Sequence, residues 1–375
     1  MLIHDLRCTY ENGGSEISAS LDAERVTLRF SVPDPLVAMG DAFVAIALVT
    51  AMARGETLRV ALDIPVSRRL LGSLRIYQEI YVAWWPHLHI IEIDAPTAVE
   101  SVDASKRVAC FFSGGVDSMY SVVRHLPEID DLILCRGLDI APDESERWDR
   151  TVDTVKSFAA GIGKRLVCIE TDAKKRYRNY TSSNYGALLI STALPLGYAR
   201  VIVPSSHITY RDLVPWGTHP LTDPLLGTAT TDIVHDGATA RTAKTEFIVE
   251  AGIGLGSLRV CNVYSLYNCG KCEKCLRTMS VLAILGAKSA AFPPYTPLAL
   301  RSLRLEGWVD DAFWKEILTL ARSRNQPRHA RAISKLLSRF ERREALRSID
   351  QRWLGGAGLG LLRGARDLRS RAKDV

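Results

Sequence analysis

"VACFFSGGVDSMYS", Val108 to Ser121, decides how the chain is read. An apolar run stops at Ser-Gly-Gly and resumes with helix-like spacing, which predicts strand, turn, helix. Two adjacent glycines, Gly114 and Gly115, let a backbone approach a ligand with no Cβ in the way. Unpaired N–H groups at a helix start, together with the positive end of the helix dipole, favour an anion. The hydroxyls of Ser113 and Ser118 would add hydrogen bonds. Asp117 is a poor neighbour for phosphate unless a cation lies between them, which Mg²⁺ would do. A plain tight turn is the competing reading.

The surroundings of this turn favour a ligand. From Lys106 onward the pattern alternates strand and helix: "RVACFF", a helix through His125, "LILCRG", the helix "SERWDRTVDTVKSFAAGIG", "RLVCIETD", the helix "NYGALLISTALPLG" and "RVIVPSS". Continuous apolar strands separated by helices predict a parallel sheet with helices on both faces. Ligands of such sheets sit at the carboxyl ends of the strands, where this turn lies. Residues 1–103 read as an N-terminal α+β accessory domain: a strand over 25–30, a buried helix closed by Gly55, a strand at "TLRVALDI", a second helix through Trp85 and a strand at "HIIEID". Residues 104–300 read as the parallel α/β domain that carries this turn and the later cysteine array. Residues 301–375 read as a basic helical extension ending in a loosely held tail, "GGAGLGLLRGARDLRSRAKDV".

The chain has 375 residues, 47% hydrophobic and 24% charged, which is globular composition with room for more than one domain. Asp5 precedes any apolar run, and the apolar run from Ala42 to Ala53 is too short to span a bilayer, so a cytoplasmic protein with no membrane segment is expected. From Arg301 onward there are 18 Lys and Arg against 9 Asp and Glu, leaving 30 against 33 in the first 300 residues. The excess positive charge therefore belongs to the extension, as a solvated helical face or as a surface for nucleic acid.

Cys8, Cys110, Cys135 and Cys168 are scattered. Cys261, Cys269, Cys272 and Cys275 form a C-x7-C-x2-C-x2-C array, which in a reducing compartment indicates a metal. Four thiolates saturate tetrahedral Zn²⁺ and leave no open position, so the expected zinc is structural; an iron–sulfur cluster is the alternative. The stretch from His207 to Thr228 is long for a loop and gathers Tyr210, Arg211, Asp212, Trp216, His219 and Asp223. Arg211 could grip a carboxylate, Trp216 could stack on a ring, and Asp223 or His219 could act as base toward an amine. A lid built on Pro215, Gly217, Pro220 and Pro224 is the plainer reading.

The SGGxDS signature after a strand and before a helix resembles the PP-loop (N-type) ATP pyrophosphatases. With four cysteines following that domain, the chain is similar to the 7-cyano-7-deazaguanine synthase branch, known from queuosine biosynthesis, over roughly residues 106–285. The resemblance implies an α/β fold of the HUP class and an ATP-binding ligase. Such an enzyme adenylates a carboxylate, releases pyrophosphate and transfers the acyl group to ammonia or an amine. It implies ATP contacts from Ser113, Gly114, Gly115, Asp117 and Ser118, and an adenosine frame near Leu134 to Gly137 and Thr171 to Asp172. Lys244 of a K-x-E helix start would reach the phosphates; a surface helix lysine is its bland alternative. Asp117, Lys244, Arg211 and Asp223 are the expected catalytic set.

The extra hundred residues before the turn, the basic tail and the unlike central loop point to a carboxylate other than the synthase's. The expected partners are that small-molecule carboxylate, ammonia or an amine donor, a second copy of the chain as a homodimer, and nucleic acid along the basic segment. Two rivals stand beside this reading: a tRNA-modifying, thiolation-type enzyme of the same fold, and a nucleotide sensor without turnover.

Overall fold

The computed structural model describes residues 1–11, 13–98, 105–176, 181–206, 209–261, 263 and 267–354. The glycine-rich tail expected to be loose, 355–375, lies outside them, as does His207. Two compact units divide the chain, Met1–Asn268 and Cys269–Val375.

The first unit is built on a ten-stranded, mostly parallel sheet. Its strands are β1 (Leu2–Glu11), β2 (Gly14–Leu21), β3 (Glu24–Phe30), β4 (Leu58–Val60), β5 (Ile93–Asp94), β6 (Val108–Phe111), β7 (Asp131–Arg136), β8 (Arg165–Thr171), β9 (Arg200–Pro204) and β10 (Asp232–Asp236). The spatial order is β10-β9-β6-β7-β8-β3-β2-β1-β4-β5. The helices of this unit are α1 (Met39–Arg54), α2 (Arg68–Trp84), α3 (Val116–Arg124), α4 (Ser145–Gly161), α5 (Ala173–Arg176), α6 (Thr181–Ala193) and α7 (Arg241–Ala251). The second unit holds α8 (Glu273–Ile284), α9 (Trp308–Ser323) and α10 (Pro327–Leu354).

Strands β6 to β10 pair with one another in parallel throughout. The chain runs outward through β6, β7 and β8, then returns past β6 to lay down β9 and β10 on its other side. β6 is thus the switch point of the parallel half, and its carboxyl end leads directly into Ser113–Ser118. An open parallel sheet has its crevice at such a point, because the flanking crossovers leave in opposite directions.

Residues 1–103, expected as an accessory domain, share that sheet. β3 pairs antiparallel with β8, Phe30 facing Ile169 and Leu28 facing Thr171. One apolar core contains residues of both stretches, including Ile17, Val26 and Phe43 with Val167, Leu188 and Val201. A half-buried ion network reinforces the join: Arg165 Nη2 reaches Asp34 at 2.6 Å and the buried Asp131 at 3.0 Å, and the Tyr198 hydroxyl donates to Asp131 at 2.6 Å. The Arg165 guanidinium beside Asp34 holds that carboxyl below its usual range.

The β1–β2 hairpin leaves little signal in the sequence. β1 breaks its alternation at a register shift between His4 and Arg7, with Asp5 at φ 53°. A bulge of this kind erases the period-2 signal. The strands expected at "TLRVALDI" and "HIIEID" shrink to three and two residues.

Helix α1 ends as its sequence predicts: Gly55 adopts φ 65° and its N–H bonds back to the last turn. Asp41, in the first turn of α1, is 2% exposed and its Oδ1 accepts the Ser67 N–H at 3.0 Å. Burial pushes its carboxyl up to about 7, against the opposing pull of that backbone bond. A carboxyl raised above its unfolded value contributes stability that is complete below the unfolded value and lost as pH rises through the folded one. Asp41→Asn should therefore flatten the decline in stability between about pH 4 and pH 7, a difference of up to about 4 kcal/mol. Urea unfolding of both proteins across that range checks this; parallel pH profiles would contradict it.

Candidate functional site

The turn after β6 has the geometry its glycines suggest. Gly114 takes φ 78°, and a Cβ there would lie 3.2 Å from the Arg259 Cβ and 3.3 Å from the Ser257 carbonyl oxygen. Gly115 is the N-cap of α3 in extended conformation, and its side chain position offers no oxygen to the helix start. The two serines close the turn on itself. The Gly115 N–H donates to Ser113 Oγ at 3.4 Å, and Ser118 Oγ donates to the Gly115 carbonyl at 3.1 Å. The two hydroxyl oxygens lie 3.5 Å apart.

Three residues from α3 and α7 converge beside this turn. Lys244 is 1% exposed, and its Nζ donates to Asp117 Oδ1 at 2.8 Å and to the Ser205 carbonyl, at the end of β9, at 2.6 Å. Arg241 Nη1 lies 3.0 Å from Asp117 Oδ2. Lys244 is thus no surface lysine. One helical turn of α7 brings both cations onto one carboxylate at the mouth of β6. Both oxygens of Asp117 are occupied by cations, which suits a charged wall facing an anion better than a direct ligand to Mg²⁺.

Arg259 escaped the sequence reading, because in "SLRVC" it looks like a strand residue. Its backbone N–H donates to the Gly114 carbonyl at 2.7 Å and its Nε to the Ser113 carbonyl at 3.1 Å, so it clasps the glycine turn from behind. It is 8% exposed and has no ion pair with a carboxylate among the described residues. Burial, and secondarily the nearby Arg147, hold its guanidinium below its usual value.

The other expected contacts separate into two groups. Gly137 caps β7 at φ 94°, and a Cβ there would fall 1.8 Å from the Thr171 carbonyl oxygen, so the ends of β7 and β8 do meet. Leu134, by contrast, is 2% exposed inside β7 opposite Cys168, and Asp172 Oδ1 accepts the Thr27 N–H of β3 at 2.9 Å. In the long loop, Tyr210 and Trp216 are 66% and 44% exposed and Arg211 is exposed. Asp212 falls in the short turn Tyr210–Asp212. His219 and Asp223 are interior. Asp223 Oδ2 lies 2.7 Å from His235 Nδ1, Asp223 Oδ1 accepts the His219 N–H at 3.0 Å, and the His219 ring packs edgewise on Trp84. Burial raises the Asp223 carboxyl, and His235 opposes that rise. Gly186 lets α6 press onto this loop, since a Cβ there would meet the Gly217 carbonyl oxygen at 2.1 Å. These bonds pin the loop to the fold.

Cys261, Cys269, Cys272 and Cys275 offer sulfur atoms that all lie within 4.8 Å of one another, a set that can hold a metal ion. Backbone N–H groups already point at the sulfurs: Lys271 and Cys272 donate to Cys269 Sγ at 3.4 and 3.3 Å, and Val263 donates to Cys261 Sγ at 3.3 Å. Gly270 turns at φ 69° where a Cβ would strike Pro293 Cγ at 2.3 Å.

No protein-family model matches the chain, and no match is found among curated proteins or solved structures. No helix among the described residues is long and apolar enough to cross a membrane.

Proposed function

We propose that the chain is an ATP-dependent, AMP-forming ligase of the PP-loop kind. Its site would bind ATP at Ser113–Ser118, adenylate a small carboxylate and pass the acyl group to ammonia or an amine. The observation that carries this reading is the meeting of a glycine turn at the switch point of a parallel sheet with the buried Lys244–Asp117 pair. The amides of the turn and the start of α3 would hold the triphosphate. Lys244 and Arg241, kept in place by Asp117, would offset the charge that gathers on the leaving pyrophosphate. Preorganised charge of this kind is the main means by which a protein accelerates nucleotidyl transfer. Mg²⁺ would arrive with ATP and share the charge of its phosphates. The four cysteines would hold structural Zn²⁺.

The direct experiment incubates the protein with ATP, Mg²⁺, ammonium and a panel of small carboxylates, and separates nucleotides by chromatography. AMP with pyrophosphate is the expected product pair; ADP with phosphate would refute the reading. Gly114→Ala is the matching control. Its methyl group would meet Arg259 and Ser257 and force a left-handed φ on alanine, at about 1 kcal/mol or more. We expect ATP binding, followed by calorimetry, to weaken at least tenfold while the folded chain persists.

A further inference from the structure

We propose that α10 carries a sequence-independent binding surface for the phosphate backbone of nucleic acid, centred on Arg328, Arg331, Lys335 and Arg342. At 100° per residue these four side chains, with Arg339, fall within an arc of about 80°, and they run about 21 Å along the helix. Arg328, Arg331, Lys335, Arg339 and Arg342 are all exposed. The opposite side of α10 is committed to its own unit: Ile333, Leu336, Leu337 and Phe340 are buried in a core with Trp314, Ile317 and Ala321.

A merely solvated face would mix its charges, because like charges at i, i+3 and i, i+4 repel by a few tenths of a kcal/mol per pair. α9 shows that arrangement, with Lys315 Nζ 2.6 Å from Asp311 Oδ2 four residues earlier. The α10 stripe does the reverse. Arg328–Arg331, Arg331–Lys335, Lys335–Arg339 and Arg339–Arg342 are consecutive like pairs. Among the described residues, none of Arg328, Arg331, Lys335 and Arg342 forms an ion pair with a carboxylate. The crowding continues around the helix: after burial, Arg304, Arg347 and Arg339 are what hold the Arg343 guanidinium below its usual value. Folding does not call for such a line of uncompensated charge, whereas a polyanion compensates it.

Nucleic acid fits better than a membrane. A helix that lies on a bilayer needs a free apolar face, and that of α10 is buried in its own unit. Cations in single file, four of five of them arginine, suit phosphates that succeed one another along a strand. The exposed Leu346 and Ile349 lie further along the same line, 62% and 57% accessible, where sugars or base edges could pack.

The test uses the full chain and labelled RNA and DNA duplexes of mixed sequence, with anisotropy read over a range of salt. The comparison protein carries Arg328→Gln, Arg331→Gln, Lys335→Gln and Arg342→Gln, none of which belongs to the ATP site or the cysteine cluster. We expect the wild-type chain to bind with a steep salt dependence. The slope of log K against log salt should fall by about three to four in the variant, one phosphate contact per lost cation. The variant should melt no lower than wild type, since four repelling charges are removed. An unchanged slope would overturn the proposal, as would no binding by the wild-type chain at low salt. Tighter binding to phosphatidylserine vesicles than to either duplex would also overturn it. ATP turnover is measured separately, so failure here leaves the ligase reading standing, and the reverse also holds.

Discussion

Lys244→Met should reduce ATP-dependent AMP release by about 10²–10³-fold, the loss typical of removing one preorganised charge from a transition state. The substitution keeps most of the buried volume and removes only the ammonium. The fold should tolerate it because Asp117 is not left alone: Arg241 remains 3.0 Å from its Oδ2. The Ser205 carbonyl loses a donor, a cost of about 1–3 kcal/mol. Asp117→Ala makes the contrast. It strips the shared carboxylate from both Lys244, 1% exposed, and Arg241, and leaves a buried cation with the Ser205 carbonyl but no counter-charge. That change should destabilise the chain by about 3–5 kcal/mol as well as abolish the proposed AMP release. Single-turnover assays with thermal melts separate the two effects. Undiminished AMP release from Lys244→Met would end the case for a phosphate-facing lysine.

Loss of a metal held by the four cysteines, if the purified chain carries one as proposed, should be the larger structural event. A strong chelator, or Cys275→Ser, is expected to release one zinc per chain and lower the melting temperature by on the order of 10 °C or more, given the binding energies of structural zinc. The reason is local. Cys272 is the N-cap of α8 and Cys275 lies in its first turn, so the metal would fix where that helix begins. α8 in turn supplies Leu276, Val281 and Ile284 to the core shared with α9 and α10. Elemental analysis of the purified chain, with melting curves before and after chelation, decides the point. A metal-free chain that melts at the same temperature would refute it, and an iron signal with visible absorbance would replace zinc by a cluster.

The parallel half of the sheet was readable because strands covered on both faces are uninterrupted apolar runs, as "LILCR" and "RVIVP" are. The turn at Ser113–Ser118 and the cysteine array were readable because their chemistry is local: every residue needed lies within a few positions. What stayed hidden depended on distance along the chain. Nothing near Phe30 announces that β3 will bond to β8, and nothing in "SLRVC" marks Arg259 as the clasp behind Gly114. His235 shows the same limit, since its pairing with Asp223 needs β10, a five-residue strand too short and polar to stand out. The loop from His207 to Thr228 was rich in reactive side chains on paper. Folding divides that wealth, sending His219 and Asp223 inward while Arg211 and Trp216 face solvent.

The bond between β3 and β8 has a practical corollary. A shortened protein starting near Ser105 would keep every residue of the glycine turn, yet it would strip β8 of its β3 neighbour and lay bare a row of unpaired amides and carbonyls. Raw borders of that sort recruit strands from other molecules. Such a fragment should precipitate rather than serve as a minimal catalyst, and the first hundred residues are best regarded as the hem that keeps the sheet from fraying.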